Sequence, residues 1–296
     1  LIDVREKEEF NKCSIKGSIS IPINNLEQKS HLEFIKQESL DKEIFTLCQL
    51  GKRSEKASKI LMKLQIPSKS IEGGIKKIKE TIPVIAIPTT SGTGSEVSSG
   101  SVIIMNDGRK LLLISEFLRP KAAICDPELT IGLPPLITAG AGMDALTHCI
   151  EAILSPRIDP PAEAVGLDGI EKVIREQSLV RAVKDGQDKT ARWNMMMAST
   201  EGAMAFSKGL GAVHSMSHAI GADQELRLHH GTLNAVILPT ILRFNIDHVG
   251  DKYSKIARAM GKKDSVDLSE IIENLNIEIG LPSGLKEMGV TENMIP

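Results

Sequence analysis

Asp144-Ala-Leu-Thr-His148, His214-Ser-Met-Ser-His218 and Leu228-His229-His230-Gly231 carry five of the chain's seven histidines. Residues four apart on a helix share a face, with Cβ atoms about 5–6 Å apart. Asp144 therefore stands beside His148, and His214 beside His218. One such pair is an ordinary feature of a polar helix face. Two pairs and a third histidine next to a glycine, all set among small residues, point instead to metal binding. One carboxylate with three imidazoles and no thiolate is a donor set for iron or zinc. Glu151, one turn beyond His148, is placed to accept an imidazole N–H.

The surroundings of this stretch are helical. After Pro134-Pro135 the strand signals stop, and helices are expected at about 136–154, 161–175, 189–208, 211–222, 232–246, 249–260 and 267–277. Before Pro134 the pattern changes. Val84-Ile-Ala-Ile87 is a strand, and Pro88-Thr-Thr-Ser-Gly-Thr-Gly-Ser-Glu96 is a loop whose glycines let a ligand approach the backbone and whose hydroxyls can bond phosphate or ribose. Asn106-Asp-Gly-Arg109 marks a hairpin turn, and Ala122-Ala-Ile-Cys-Asp126 reads as one more buried strand.

Further toward the start, Leu1-Ile-Asp-Val4 is a buried strand and Glu43-Ile-Phe-Thr-Leu47 another, which delivers Cys48 to a loop ahead of a helix from Ser54. Backbone N–H groups and the helix dipole favour an anion in such a loop, and Lys52 and Arg53 should favour a Cys48 thiolate. Glycines at 73 and 74 and the lysine-rich Lys76-Lys-Ile-Lys79 precede Pro83, placing a domain boundary near Lys79. His31 and His248 read as surface histidines, and Met195-Met-Met197 as helix core.

Composition narrows the classes. The 296 residues are 41% hydrophobic and 25% charged with a net charge of −2, which gives nucleic acid and anionic membranes no electrostatic attraction. No run nears 18 apolar residues and no signal peptide opens the chain, so the expectation is a cytoplasmic protein with neither nucleic acid nor membrane as partner. The four cysteines are scattered, which excludes thiolate metal spacing and a disulfide framework. With aromatic content at 3%, the core must rest on aliphatic residues and Met.

Two family resemblances follow. Leu1-Ile-Asp-Val-Arg5, Gly17-Ser-Ile-Ser-Ile-Pro22, Cys48-Gln-Leu-Gly-Lys-Arg-Ser54 and Glu72-Gly-Gly-Ile75 resemble a rhodanese domain over about residues 1–78. That resemblance implies a persulfide carried on Cys48, with Gln49 to Arg53 lining an anion pocket. Gln49 departs from the basic residue common there, and the family's leading strand and helix have no counterpart. Pro88–Glu96, Asp126-Pro127, Gly142–His148, His214–His218 and His230-Gly-Thr-Leu-Asn234 together resemble the iron-containing alcohol dehydrogenases from about Thr81 onward.

The second resemblance implies Asp144, His148, His214 and His230 as ligands of Fe2+ or Zn2+, His230 being preferred because it directly precedes the glycine. It places His218 near substrate and nicotinamide, and implies NAD(P) contacts at Thr89, Thr90, Gly92, Thr93, Ser98, Val102, Lys110 and Leu129. It also implies a homodimer acting on a small alcohol or aldehyde. The family's Gly-Gly-Gly-Ser-x-x-Asp pyrophosphate loop has no counterpart before Thr81, so cofactor affinity is expected to be poor. The chain thus reads as an α/β rhodanese-like segment (1–79), a remnant of a dinucleotide-binding α/β domain (80–133) and an all-α helical metal-binding domain (134–296), shortened at both ends. The leading expectation is a metal-dependent alcohol dehydrogenase. A sulfurtransferase using Cys48 and an inactive fusion fragment are the alternatives.

Overall fold

The computed structural model describes residues 1–15, 17–40, 42–75, 84–104, 110–222 and 226–291. Two compact units emerge, Leu1–Pro83 with Ile114–Leu118, and Val84–Leu113 with Arg119–Pro296. The expected boundary near Lys79 and the hairpin turn at 106–109 lie outside the described residues.

In the first unit, strands β1 (Ile2–Asp3), β2 (Ile19–Ser20), β3 (Ile44–Leu47) and β4 (Ser68–Ser70) form a sheet of order β2-β1-β3-β4. All three pairings are parallel, with Ile2 opposite both Ile19 and Thr46, and Ile44 opposite Ser68. Parallel strands need crossovers, and helices α1 (Lys7–Lys12), α2 (Lys29–Glu38) and α3 (Lys52–Lys63) lie between them in the chain. Ile2, Val4, Ile35, Ile44, Ala57 and Leu61 share one core. α3 buries Ala57 and Leu61, while its lysines stay in water. Beside the core, the buried Arg5 guanidinium grips Asp3 with Nε–Oδ1 at 3.0 Å and Nη2–Oδ2 at 2.7 Å. β4, Ser-Lys-Ser, has no apolar alternation and escapes sequence reading. Its pairing with β3 places Ser68 where its carbonyl accepts the Ser58 hydroxyl at 2.8 Å.

The second unit opens with two short ladders. β5 (Ile85–Ala86) pairs in parallel with β8 (Ala122–Ala123), and β6 (Gly100–Ile104) pairs with β7 (Lys110–Ile114). The expectation of a buried strand at 122–126 is corrected: Ile124 is 51% exposed, and Ala122 and Ala123 are exposed. A ladder two residues long, paired on one side only, has too little sheet to cover its own side chains.

Helices follow: α4 (Pro135–Leu154), α5 (Pro160–Ile170), α6 (Ser178–Lys184), α7 (Lys189–Ala205), α8 (Ala212–Ile220), α9 (His230–Asn245), α10 (Lys252–Ala259) and α11 (Leu268–Glu278). The sequence reading misses α6, whose seven residues span too few turns to show a period. α5 continues as a π-helical turn over Glu171–Arg175. Asp159, Asp188 and Asp267 each start a helix by accepting a backbone N–H. α4 is the axis of this unit. Its residues 138–153 are all buried, and it packs against α5, α7 and α9. Met143, Leu146, Ile150 and Ile153 have no exposed surface, so truncating any one to Ala should cost about 2–5 kcal/mol. No helix among the described residues is long and apolar enough to cross a membrane.

Candidate metal centre

α4 supplies Asp144 and His148, α8 supplies His214, and α9 begins at His230. Three helices distant in sequence thus meet here: Asp144, His148 and His214 bring one donor atom each within 4.8 Å of one another, and His230 stands beside Asp144 at the edge of that cluster. Asp144 Oδ1 lies 3.8 Å from Nε2 of His148, 3.4 Å from Nε2 of His214 and 3.6 Å from Nε2 of His230. The His148 and His214 rings stack with centroids 4.5 Å apart. Close helix approach makes the convergence possible. A Cβ on Gly231 would lie 2.0 Å from the Gly140 carbonyl oxygen, so only glycine lets α9 press His230 against α4.

The donor set fits a cation. Asn234, one turn past His230, is fully buried and directs its amide nitrogen to the same point. Its Nδ2 is 2.8 Å from Asp144 Oδ1, 3.2 Å from His214 Nε2 and 3.3 Å from His230 Nε2. Lone pairs converging on one positively polarised group are what a metal ion requires. Two of the three outer nitrogens are also engaged, His214 Nδ1 with Glu151 Oε2 at 2.6 Å and His230 Nδ1 with Ser217 Oγ at 3.3 Å. That leaves Nε2 of each free to ligate.

Burial drives the His148 and His230 pKa values down to about 4, against the opposing pull of Asp144. Burial also disfavours His214 as a cation, but Asp144 and Glu151 outweigh it and raise that pKa to about 9. Burial likewise opposes ionisation of Asp144, yet the three imidazoles hold its carboxyl below the usual range. The side chains of His148 and His214 are 6% and 3% exposed, whereas that of His230 is 32% exposed. The centre therefore opens to solvent on the His230 side. His218 lies on that side, with its ring centroid 4.6 Å from that of His230 and 6.4 Å from that of His214. The neighbouring His229 does something else: its Nδ1 accepts the Thr232 N–H at 3.3 Å and caps α9.

Thr89, Thr90, Gly92, Thr93 and Ser98 share the loop that follows β5. Gly94 N–H donates to Ser199 Oγ at 3.1 Å and Thr200 Oγ1 donates to Glu96 at 2.7 Å, so the loop is seated on α7. Thr89 and Thr93 are exposed, while Ser98 turns inward and accepts the Gly100 N–H at 2.9 Å. Val102 and Leu129 are exposed at 47% and 46%. Lys110 opens β7, and its side chain lies outside the described residues. Asn234, Ser217, Ser199 and Thr200 were missed by sequence reasoning. Of these, only Asn234 carries a signal there, its i+4 spacing from His230.

Cys48 belongs to the first unit. Its Sγ accepts the Gly51 N–H at 3.1 Å and the Ser54 hydroxyl at 3.4 Å. Burial opposes ionisation, yet Ser54 and the loop N–H groups lower the thiol pKa. The expected cause was different. Arg53 is held in a bidentate pair with Glu9 at 2.7 and 2.8 Å, and Cys48 is 1% exposed. The loop's arginine is already occupied and its sulfur is covered, which disfavours the sulfurtransferase alternative.

A helical unit whose core carries a carboxylate–histidine cluster able to hold a metal ion follows a strand and a glycine-rich hydroxyl loop. Residues 138–296 match the C-terminal part of the Fe-containing alcohol dehydrogenase family, residues 55–127 match iron-containing alcohol dehydrogenase, and residues 1–81 match a rhodanese-like domain. The chain belongs to the iron-containing alcohol dehydrogenase family. It is 52% identical over 233 residues to 4-hydroxybutyrate dehydrogenase of Cupriavidus necator, covering 76% of this chain and 60% of that protein. With 1,3-propanediol dehydrogenase of Klebsiella pneumoniae it shares 36% identity over 234 residues, 75% of this chain and 59% of the other. The chain thus spans about three fifths of the length of these relatives. Among solved structures, a 1,3-propanediol oxidoreductase superposes with TM-score 0.67 at 27% identity, over 99% of this chain and 82% of that one. Sulfoacetaldehyde reductase from Bifidobacterium kashiwanohense in complex with NAD+ gives TM-score 0.67 at 25% identity, over 99% and 81%.

Proposed function

We propose that the protein is a metal-dependent alcohol dehydrogenase that moves a hydride between a small primary alcohol and NAD(P). Asp144, His148, His214 and His230 hold Fe2+ or Zn2+, and His218 faces the substrate. The observation that carries this reading is the approach of three imidazole Nε2 atoms to 3.4–3.8 Å from Asp144 Oδ1, with Asp144, His148 and His214 buried in one cluster. A bound divalent ion supplies Lewis acidity toward the alcohol oxygen. The chain's own part is to hold the donors in place, exclude water on the His148 and His214 side, and leave the His230 side open. His218, beside His230, is placed to take up or return the hydroxyl proton. Thr89, Thr90, Gly92, Thr93, Ser98, Val102, Lys110 and Leu129 are assigned to the cofactor. The loop bonds to Ser199 and Thr200 fix that segment relative to the centre.

The proposed division is residues 1–79 rhodanese-like, 80–133 nucleotide-binding and 134–296 metal-binding, in a homodimer. The 52% identity to 4-hydroxybutyrate dehydrogenase makes 4-hydroxybutyrate the first substrate to try. Protein reconstituted with Fe2+ or Zn2+ should reduce NAD or NADP in its presence, and Asp144→Asn should abolish both metal retention and turnover. Stoichiometric metal without turnover on any short primary alcohol would refute the dehydrogenase reading. Turnover by metal-free protein would refute the assigned centre.

A further inference from the structure

Glu151 stands one turn past His148 on α4, but its carboxylate reaches across to α8. Oε2 meets His214 Nδ1 at 2.6 Å and the His214 backbone N–H at 3.4 Å, and Oε1 accepts the Val213 N–H at 2.8 Å. Glu151 is 4% exposed. The other imidazoles are held differently. Among the described residues, His230 Nδ1 meets only the Ser217 hydroxyl, and the carboxylate contacts of His148 and His230 run through Nε2 to Asp144.

Two consequences follow. First, the centre contains two buried carboxylates, Asp144 and Glu151, and their ion-pair partners among the described residues are histidines alone. An imidazole must be neutral to ligate, and in that ligating state the two carboxylates carry two negative charges in a site where uncompensated charge is costly. A divalent cation cancels both. Second, Gly211 is required for the contact. A Cβ there would lie 2.7 Å from Glu151 Oε1, so the missing side chain lets the start of α8 close over the carboxylate.

We propose that Glu151, seated by Gly211, is a positioning residue that aims His214 Nε2 at the metal point and supplies the second charge by which the centre retains a divalent ion. This rests on the metal-site reading above. The test is Co2+ titration of the full chain against a competing chelator, read both as affinity and as the visible absorption of bound Co2+. Glu151→Gln keeps the volume and an oxygen acceptor for Val213 N–H but removes the charge. It should weaken Co2+ binding by roughly 10–100-fold and shift the absorption band. Gly211→Ala reaches the same contact from the other helix and should weaken binding in the same way. Metal-free thermal unfolding of each variant verifies that the fold persists. Affinities for both variants within about twofold of the unmutated chain, with the same spectrum, would overturn the proposal alone. Failure of the unmutated chain to bind Co2+ would sink the metal-site reading and the proposal with it.

Discussion

Replacing Gly94 by Ala tests whether the hydroxyl loop is rigidly seated on α7. Gly94 has φ +57°, and an added Cβ would lie 2.2 Å from Ala203 Cβ and 2.5 Å from the Ser199 carbonyl oxygen. The left-handed backbone costs a non-glycine residue about 1–2 kcal/mol. Overlap with a helix backbone that cannot swing aside costs about 1–3 kcal/mol more. If the loop lifts to relieve that overlap, the Gly94 N–H···Ser199 bond is lost, at about 0.5–1.5 kcal/mol. Strain and overlap together cost about 2–5 kcal/mol, which at roughly 2–4 °C per kcal/mol lowers the unfolding midpoint by about 4–20 °C. Circular dichroism melting of the chelator-treated protein reads this directly. Ser199→Ala, which removes only the hydrogen bond, should shift the midpoint by about 1–6 °C. A Gly94→Ala protein melting within about 2 °C of its parent would show that the loop is not held against α7.

Three further outcomes are expected. Stripping the divalent ion should destabilise the helical unit by about 2.7 kcal/mol relative to protein held at a hundredfold excess over Kd, and a melting curve indifferent to chelator would contradict the centre. The metal-free protein should have a stability optimum near the ordinary imidazole pKa of 6.5. His148 and His230 sit at about 4, so the unfolded chain binds more protons and stability falls as pH drops from 6.5 toward 4. His214 sits at about 9, so its contribution is complete below 6.5 and is lost as pH rises toward 9. A midpoint that climbs steadily across the alkaline half of this range would disprove that assignment. Brief alkylation of the folded protein should label the half-buried Cys13 and Cys125 and spare Cys149, whose pKa burial pushes up. Mass spectrometry showing Cys149 modified first would mean that α4 is not packed as described.

Much of the helical half was legible because its signals are local. Pro134-Pro135 and the aspartates at 159, 188 and 267 mark helix starts, and the i,i+4 pairing of Asp144 with His148 survives folding as one wall of the centre. The sequence could not show which histidine of the Leu228–Gly231 stretch faces inward by chemistry alone. That choice depends on Gly231 fitting against Gly140, a contact between residues far apart in the chain. Glu151 was placed near the ligands by helix geometry, but its partner proved to be His214 on another helix. One β-strand was overread. The apolar residues at 122–126 indicate extended backbone, yet burial depends on what covers a strand, and Ile124 stays more than half exposed.

Helix α4 has a bearing on how this protein tolerates change. Of its twenty residues only Pro135, Leu136, Ile137 and Leu154 escape burial, and the rest serve as core or centre. A saturation library across it should therefore be depleted at nearly every position for two unrelated reasons, collapse of packing and loss of a ligand or its orienting carboxylate. Only scoring abundance and metal content side by side would separate them. Under the proposed dehydrogenase reading, variation that retunes substrate preference has room mainly on the His218 and His230 side, where the surface is not also the scaffold.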